Sequence, residues 1–273
     1  AIPVVQRTDK ALMRDGRDLI NETARAIAFL SRIPVPGRFF ENHDGSLSKT
    51  VGAFPLAGVL VTLPSAVLLG LLAVIDAPPF VAVLLALALQ MLVTGALHED
   101  GLTDTADGLG GGRDRDRALA IMKDSRIGTY GALALLLSVS LRTASIAALV
   151  SVLPPFAALL GWLAAAALSR AAMVWHWSSL PAAKSDGVAA SVGLPEKNAI
   201  RIALASGIAA PVLLGLFVLP LGTSLASLAV AGLLTSGFTT YVRSRINGHT
   251  GDTIGASQQL AEIGFLISLA ILL

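Results

Sequence analysis

The sequence of 273 residues contains no cysteine, and charged side chains make up only 14% of it. The absence of cysteine excludes a disulfide framework and any chemistry that needs a thiolate. Ordinary soluble domains carry about 25% charged residues, so the low charged fraction argues against a soluble protein. The net charge of +2 says little, because in a membrane protein the positions of the cations matter more than their sum.

Hydrophobic residues, in contrast, make up 54% of the sequence, and the mean hydropathy is +0.74. A helix needs roughly 20 apolar residues to cross a bilayer, and the sequence contains about seven such runs. We therefore predict an all-α, polytopic membrane helix bundle that forms a single domain over residues 1–273, with an N-terminal segment at 1–50 and the bundle at 51–273. The predicted spans are residues 51–75, 79–98, 129–153, 155–178, 199–219, 223–242 and 255–273.

The basic residues predict the orientation of these spans. Of the 20 Lys and Arg residues, 18 fall in the N-terminal segment or in every second loop, at residues 99–128, 179–201 and 243–254. The alternate loops carry none. With seven spans, all the basic loops lie on one side of the membrane, which the positive-inside rule identifies as the cytoplasm. We therefore expect the N-terminus inside and the C-terminus outside.

Residues 17–32 have the pattern of an amphipathic helix. Apolar side chains recur at helical intervals from Leu19 to Leu30, with Arg and Glu residues between them. Such a helix can lie along the inner membrane surface. An ordinary helix that packs on the loops explains the same pattern, so the sequence leaves both interpretations open.

An acidic cluster follows the second predicted span, where four carboxylates occur within ten positions. On a helix that continues from this span, Asp100, Asp104 and Asp107 are spaced i, i+4 and i+7 and share one face. Because like charges repel, and more strongly near a bilayer of low dielectric, we expect a cation among them. Carboxylate oxygens suit Mg²⁺. Gly101 and Gly108 are expected to leave room for a ligand beside these acids.

A basic stretch after the acidic cluster indicates the kind of substrate. The glycines at 110–112 are expected to end the acidic helix. A metal on the acids, together with the cations that follow, suits a phosphoanhydride substrate. Two simpler interpretations are a solvated helix end neutralised by the arginines, and a loop that is basic because it is cytoplasmic. The cations are Arg113, Arg115, Arg117, Lys123 and Arg126.

A second polar island, residues 243–256, lies between the last two predicted spans. It combines Asp252 and His249 with several glycines, among them Gly251. We predict a glycine-rich acidic loop on the same side as the first cluster, so that both loops close over a single site. A plain turn between helices would explain the glycines but would not explain the presence of Asp252.

Several polar side chains lie inside or beside the predicted spans. An unpaired charge at the bilayer centre costs at least roughly 2.5 kcal/mol, so Arg142 and Arg170 need partners. Arg170 could reach a substrate phosphate or an acid of the cluster, whereas Arg142 could equally snorkel to the surface. Glu262 is predicted to form a helix–helix contact, and the tryptophans to lie in interfacial belts. For His98, a metal ligand, a proton shuttle and a boundary residue are equally open.

The acidic and basic stretches together resemble the signature of the cobalamin synthase family, also called adenosylcobinamide-GDP ribazoletransferases. The central motif consists of HEDGLTDTADGL at 98–109 and RDRDRALAIMKDSRIGTYGAL at 113–133. Asn247 and His249 depart from the family pattern, which has glycine and an apolar residue there. The resemblance extends to FLSRIPVP at 29–36, FPLAG at 54–58 and TGDTIGA at 250–256.

The resemblance implies a multi-pass enzyme of the bacterial inner membrane with its active site on the cytoplasmic side. Such enzymes join adenosylcobinamide-GDP to alpha-ribazole, or to its 5′-phosphate, release GMP and require Mg²⁺. Carried over by motif, the catalytic and metal-binding residues are Asp100, Asp104, Asp107 and Asp252. The expected substrate-binding residues are His98, Arg113, Lys123, Asp124, Arg126, Arg170 and Gly251.

Two rival functions use similar residues. CDP-alcohol phosphatidyltransferases also pair a carboxylate-rich helix end with Mg²⁺, but their signature differs from the TADG that follows Asp104 here. A cation-coupled transporter tends to place its acids near the bilayer midplane on broken helices, whereas these acids lie at a predicted span end. Apart from the substrates and the lipid bilayer, no nucleic-acid partner is expected, and a homo-oligomer is compatible with the sequence.

Overall fold

The structure, a computed structural model, describes residues 16–41, 43–184 and 193–273. Every regular element in these ranges is a helix, which confirms the predicted all-α class. Residues 1–15 of the predicted N-terminal segment lie outside the described residues. Short 3₁₀ helices are Gly37–Phe40 and Thr50–Ala53. The α-helices are α1 Gly16–Leu30, α2 Phe54–Val74, α3 Pro79–Thr94, α4 Leu97–Gly111, α5 Arg115–Met122, α6 Thr129–Val152, α7 Pro155–Ser179, α8 Lys197–Phe217, α9 Leu221–Ile246 and α10 Gly251–Leu272.

Six helices of the described part are long and apolar enough to cross a membrane, namely α2 with the preceding 3₁₀ turn, α6, α7, α8, α9 and α10. A seventh crossing is obtained if α3 and α4, which meet at an angle of 89°, are counted as one broken span. The prediction of about seven spans is therefore confirmed by length and composition. Helix α9 continues to Ile246 and α10 begins at Gly251, so both are longer than the predicted spans.

The break between α3 and α4 corrects the prediction of one helix that continues into the acidic cluster. The two helices are separated by Gly95 and Ala96, whose left-handed φ angles are 66° and 57°. Glycine adopts this conformation freely, whereas alanine does so at a cost of about 1–2 kcal/mol. The N–H of Ala96 donates to the carbonyl of Met91, and the N–H of Arg32 donates to that of Val93. These hydrogen bonds stabilise the bend that turns the acidic helix away from α3.

Helices α7 and α10 form the centre of the bundle, and both are buried over most of their length. Helix α7 packs against α2, α8 and α10, and α10 packs against α4, α6 and α9. The main core includes Trp162 and Phe265 among alanines and leucines. Because Trp162 and Trp177 are both buried, the prediction that the tryptophans form interfacial belts is wrong for these two.

Two arginines and two glutamates form a buried ion-pair network inside the bundle. Arg142 of α6 contacts Glu99 of α4 at 2.8 Å and Glu262 of α10 at 3.9 Å. Arg170 of α7 contacts Glu262 at 3.1 Å. All four side chains are at most 5% exposed, so Arg142 does not snorkel to the surface. The predicted helix–helix contact of Glu262 is confirmed.

Amide and hydroxyl side chains complete this network. Gln259 donates to Glu99 at 3.2 Å and accepts from Ser138 at 2.7 Å. Gln258 donates to Ser169 at 3.1 Å. The positive and negative charges of the ion pairs cancel, which is the condition under which charges are tolerated in a low-dielectric interior. The network therefore ties the first turn of α4 to α6, α7 and α10.

Helix α1 is amphipathic, as predicted, and is docked on the bundle. Ala26 and Leu30 are buried in a cluster formed with α2 and the 3₁₀ turn before it. The hydroxyl of Thr50 in that turn donates to the buried carboxylate of Glu22 at 2.6 Å. Ile20 remains 60% exposed on the other side of the helix, which suits a position at a membrane surface.

We expect Glu262→Gln to destabilise the bundle, because it removes the carboxylate that Arg142 and Arg170 share. Breaking a buried ion pair by removing one partner costs roughly 3–5 kcal/mol. Denaturant unfolding of the purified protein in detergent micelles measures this loss. Asp116→Asn is the matched control, because this carboxylate is exposed and pairs with the half-exposed Arg115. An unfolding free energy that Glu262→Gln leaves unchanged would contradict the role of the network.

Candidate functional site

Helix α4 carries the predicted acidic cluster. Asp100, Asp104 and Asp107 lie at successive turns of this helix, as their spacing predicts. Asp104 is within electrostatic reach of the other two acids and of Asp252, which belongs to the first turn of α10. The four carboxylates that the sequence singles out therefore lie in one region of the structure, with Asp104 within electrostatic reach of the other three.

Two glycines allow α4 to pack closely on its neighbours. A Cβ atom at Gly101 would lie 2.8 Å from the carbonyl oxygen of Asp252, and one at Gly108 would lie 2.9 Å from that of Ala118. Both distances are shorter than ordinary van der Waals contact, so a larger residue would push the helices apart. The prediction that these glycines leave room for a ligand is wrong for Gly108, whereas Gly101 also lines a cavity next to Asp100. They bring the backbone of α4 against α10 and α5, and Gly101 thereby holds Asp100 close to Asp252.

The second polar island is a short turn between long helices, and not the loop that the sequence predicts. Only residues 247–250 separate α9 from α10. Asn247 has a left-handed φ of 50°, which asparagine tolerates, and this explains how it replaces the expected glycine. Gly248 packs on the backbone of Ala183, whose N–H donates to the carbonyl of His249 at 2.8 Å. The segment after α7 thus holds this turn in place.

Gly251 and Asp252 form the first turn of α10 and line a cavity beside α4. A capping box closes this helix end: the hydroxyl of Thr250 accepts the N–H of Thr253, and the hydroxyl of Thr253 accepts the N–H of Thr250. The positive end of a helix dipole favours a nearby carboxylate. The N-terminus of α10 therefore favours the charged form of Asp252, whereas the burial of this carboxylate opposes it.

The cavity has a volume of about 260 Å³ and lies where α1, α4, α7 and α10 meet. Asp100 and Asp252 form the acidic part of its wall. Phe29, Met173 and Trp177 contribute to the rest, which is mostly apolar. Among the described residues, no arginine or lysine lines this cavity. The cavity can therefore accept an apolar group and present it to carboxylates.

Asp107 is engaged in a structural contact at the start of α6. Its two carboxylate oxygens accept the N–H of Gly128 at 2.7 Å and the N–H of Gly131 at 2.8 Å. The side chain is buried and satisfies N–H groups that the first turn of a helix leaves unpaired. Its role as a metal ligand stays a prediction, and a metal would have to compete with these hydrogen bonds.

The predicted phosphate-binding cations do not line the cavity. The side chain of Arg126 is 86% exposed and pairs with the carboxylate of Asp124 at 2.6 Å. Hydrogen bonding from this guanidinium lowers the pKa of Asp124 to about 2. Arg113 and Lys123 are also exposed, and Arg170 belongs to the buried ion-pair network. Apart from the pair of Asp124 and Arg126, the structure does not bring these residues together, and their roles in substrate binding stay predictions.

Lys184 is a cation that the sequence analysis did not single out. It lies within electrostatic reach of Asp252, and its ammonium group donates to the carbonyl of Leu119 at 3.4 Å. No motif marks this residue, and its location in a basic segment is the only signal in the sequence. The structure therefore adds one cation to the surroundings of the acidic site.

His98 lies between the cavity and the ion-pair network. It is 1% exposed, and its ring is within electrostatic reach of Arg170, Glu99 and Arg142. Its Nε2 atom has no hydrogen-bond partner among the described residues. This interior position excludes the interpretation of His98 as a residue at an exposed boundary.

His249 lies in the turn before α10, at a position where the family pattern has an apolar residue. The ring is 1% exposed and makes an edge contact with Trp177, at 6.3 Å between ring centres. Burial lowers the pKa of His249 to about 4, so the ring is neutral at pH 7. The neutral ring thus occupies a buried position, and neither of its nitrogens has a hydrogen-bond partner among the described residues.

The fold and the site define a polytopic membrane protein in which carboxylates from two helices meet beside a small cavity with an apolar wall. A family model described as cobalamin-5-phosphate synthase matches residues 22–270 of the chain. The chain belongs to this family, and it is a transferase of cobalamin biosynthesis.

Curated relatives cover almost the whole chain. An adenosylcobinamide-GDP ribazoletransferase of Rhizobium meliloti is 54% identical over 260 residues, which are 95% of this chain and 99% of the relative. A relative of the same name from Sinorhizobium medicae is also 54% identical, over the same shares of both chains. One from Brucella ovis is 40% identical over 96% of this chain and 100% of the relative. No solved structure is significantly similar to the chain.

We expect Asp107→Ala to lower the free energy of unfolding by about 1 kcal/mol, the usual loss when a capping side chain is removed. Thermal unfolding of the purified protein in detergent measures the change. Asp104→Ala is the matched control, because Asp104 lies one turn away and its side chain forms no hydrogen bond with the described residues. Equal melting temperatures for the two variants would contradict the capping role of Asp107.

Proposed function

We propose that the chain transfers the phosphocobinamide group from adenosylcobinamide-GDP to alpha-ribazole, or to its 5′-phosphate, and releases GMP. The reaction takes place with Mg²⁺ on the cytoplasmic side of the bacterial inner membrane. The observation that carries this proposal is the meeting of the α4 acids with Asp252 beside one cavity, in a chain of this family. The names of the relatives support the choice of substrates.

The carboxylates suit Mg²⁺, which proteins often hold with one or two carboxylates while substrate phosphates and water complete the coordination. Among the described residues, no three side chains of the usual ligand types converge into a complete metal site, so substrate oxygens are an essential part of the proposal. One or two of Asp100, Asp104 and Asp252 would hold the ion together with substrate oxygens, since the oxygens of Asp107 already accept backbone hydrogen bonds. A bound Mg²⁺ would neutralise the pyrophosphate and the charge that develops during transfer.

The transfer requires one bond to form and one to break. A ribazole hydroxyl attacks the phosphorus bonded to cobinamide, and the bond from that phosphorus to the GMP oxygen breaks on the opposite side. GMP leaves with the electron pair, and the hydroxyl proton passes to a carboxylate. Asp104 is the better base than Asp107, because its side chain is partly exposed and forms no hydrogen bond with the described residues, whereas both oxygens of Asp107 accept one. No covalent intermediate with the protein is needed.

Lys184 is the cation best placed to meet a substrate phosphate at the acidic site. It is within electrostatic reach of Asp252 and only partly buried. An ammonium group near the acids can share the neutralisation of the substrate's negative charge with the metal. Lys184 therefore joins the predicted substrate-binding residues.

The rival functions receive less support. Acids next to a broken span also occur in transporters, but the family and the named relatives are transferases. The family match covers both the acidic motif and the turn before α10. It therefore favours the cobalamin reaction over that of a CDP-alcohol phosphatidyltransferase.

Asp100→Asn and Asp104→Asn are each expected to reduce GMP release roughly 10²–10³-fold, because each removes a carboxylate that would hold the Mg²⁺ and thereby offset the negative charge of the transferring group. The assay uses the purified protein with adenosylcobinamide-GDP and alpha-ribazole, with and without Mg²⁺. Asp116→Asn is the matched control, since it makes the same change at an exposed acid of α5. Near-normal turnover of both variants at low Mg²⁺ would contradict the metal role, and a wild-type protein that releases no GMP would contradict the reaction itself.

The absence of cysteine allows a clean test of the orientation, because single introduced cysteines have no background. Ser125→Cys, between α5 and α6, is expected to react with a membrane-impermeant maleimide from the cytoplasmic side. Ser151→Cys, near the other end of α6, is expected to react from the outer side. Labelling of intact cells and of inverted vesicles distinguishes the two sides. The reverse pattern would show that the proposed orientation is wrong.

A further inference from the structure

The apolar wall of the cavity has no part in the transfer step, although it belongs to the same site as the acids. Apolar and aromatic walls in ligand cavities bury the aromatic or aliphatic parts of a ligand, while a few polar groups orient it. Here the polar groups are the carboxylates of α4 and α10. The apolar residues of the wall are Phe29, Leu97, Met173, Trp177 and Ile254.

Each aromatic ring of this wall packs against a second ring. Phe29 stacks on Phe54 with ring centres 5.8 Å apart and an interplanar angle of 18°. Trp177 contacts His249 edge to face, at an angle of 65°. Phe54 and His249 are both buried in the bundle. The rings are therefore held in place before a ligand arrives, which reduces the entropy that binding costs.

Size and charge distinguish between the two substrates as occupants. A volume of about 260 Å³ lies just below the range of roughly 300–1,000 Å³ found for sites of drug-sized ligands. One small ring system with its sugar fits such a space, whereas a corrin macrocycle does not. A pyrophosphate inside the cavity would meet carboxylates and, among the described lining residues, no arginine or lysine. A neutral nucleoside can instead donate its hydroxyl hydrogens to Asp100 and Asp252.

We propose that this cavity is an acceptor pocket, which binds the aromatic base of alpha-ribazole against Phe29 and Trp177 and directs the ribose hydroxyls to Asp100 and Asp252. The inference rests on the proposed function and deepens it, because it assigns one of the two substrates to the cavity. Phe29 and Trp177 then determine the specificity for the acceptor. The corrinoid and the guanosine of the donor remain outside the pocket, and only its phosphates reach the acids.

Binding of the acceptor in such a pocket does not require Mg²⁺. The base is uncharged, and its contacts are apolar and aromatic. The donor, in contrast, brings a pyrophosphate to a group of carboxylates and depends on a cation to offset the repulsion. The two substrates are therefore expected to differ in their dependence on the metal.

The test compares the KM of the acceptor with the KM of the donor in variants of the aromatic wall. Trp177→Leu and Phe29→Leu are each expected to raise the KM for alpha-ribazole about tenfold, which corresponds to the loss of one aromatic contact and part of its buried area. The KM for adenosylcobinamide-GDP is expected to stay unchanged. Trp162→Leu is the matched control, because Trp162 is equally buried but belongs to the main core. Phe29 is 37% exposed, so its replacement disturbs folding less. Phe29→Leu therefore provides the test if Trp177→Leu does not fold.

A second measurement is calorimetric binding of alpha-ribazole to the purified protein without donor and without Mg²⁺. We expect binding to the wild type and a weaker affinity in both wall variants. Failure of the wild type to bind without Mg²⁺, or an unchanged acceptor KM in both variants, would overturn the inference. A raised donor KM with an unchanged acceptor KM would assign the pocket to the donor. Failure of the proposed function is distinguishable, because the wild type would then release no GMP from the two substrates.

Discussion

Arginine side chains inside a membrane bundle need acidic partners, and the positions of those partners decide where the functional helix lies. Glu99 belongs to the first turn of α4, and its contact with Arg142 holds that turn inside the bundle. Glu262 of α10 pairs with both buried arginines. Asp100 directly follows Glu99, and Asp252 lies on the same helix as Glu262. The pairing of buried charges therefore places the two helices that carry the site.

The apolar spans were predictable from the sequence, because a run of about 20 apolar residues is a local requirement for crossing a bilayer. The bend between α3 and α4 was not predictable from the sequence. Gly95 and Ala96 follow an apolar run whose composition is the same for a straight and a broken helix. The left-handed conformation of Ala96 is stabilised by contacts with distant parts of the chain, such as the hydrogen bond from Arg32 and the ion pair of Glu99. Local patterns carry no information about such contacts.

The acids of the site were predictable for a related reason, since their helical spacing and the glycine-rich island around Asp252 are visible in the sequence. The roles of the basic residues were less predictable. Arg115 donates to the carbonyls of Ile246 and Ala183, and Arg245 donates to that of Gly112. These arginines connect the ends of helices by hydrogen bonds. The acceptors are backbone atoms, which every residue has, so no sequence pattern separates such an arginine from one that binds phosphate.

The close approach of α4 and α10 at Gly101 has a mechanical consequence. Backbone touches backbone there, with no side chain between the helices that could deform and absorb a displacement. A tilt of α10 is therefore transmitted directly to the turn of α4 that carries Asp100. The spacing of the two helix backbones that carry these carboxylates is therefore set by this direct contact. Stiffness of this kind preserves the dimensions of a small polar site in surroundings whose thickness fluctuates.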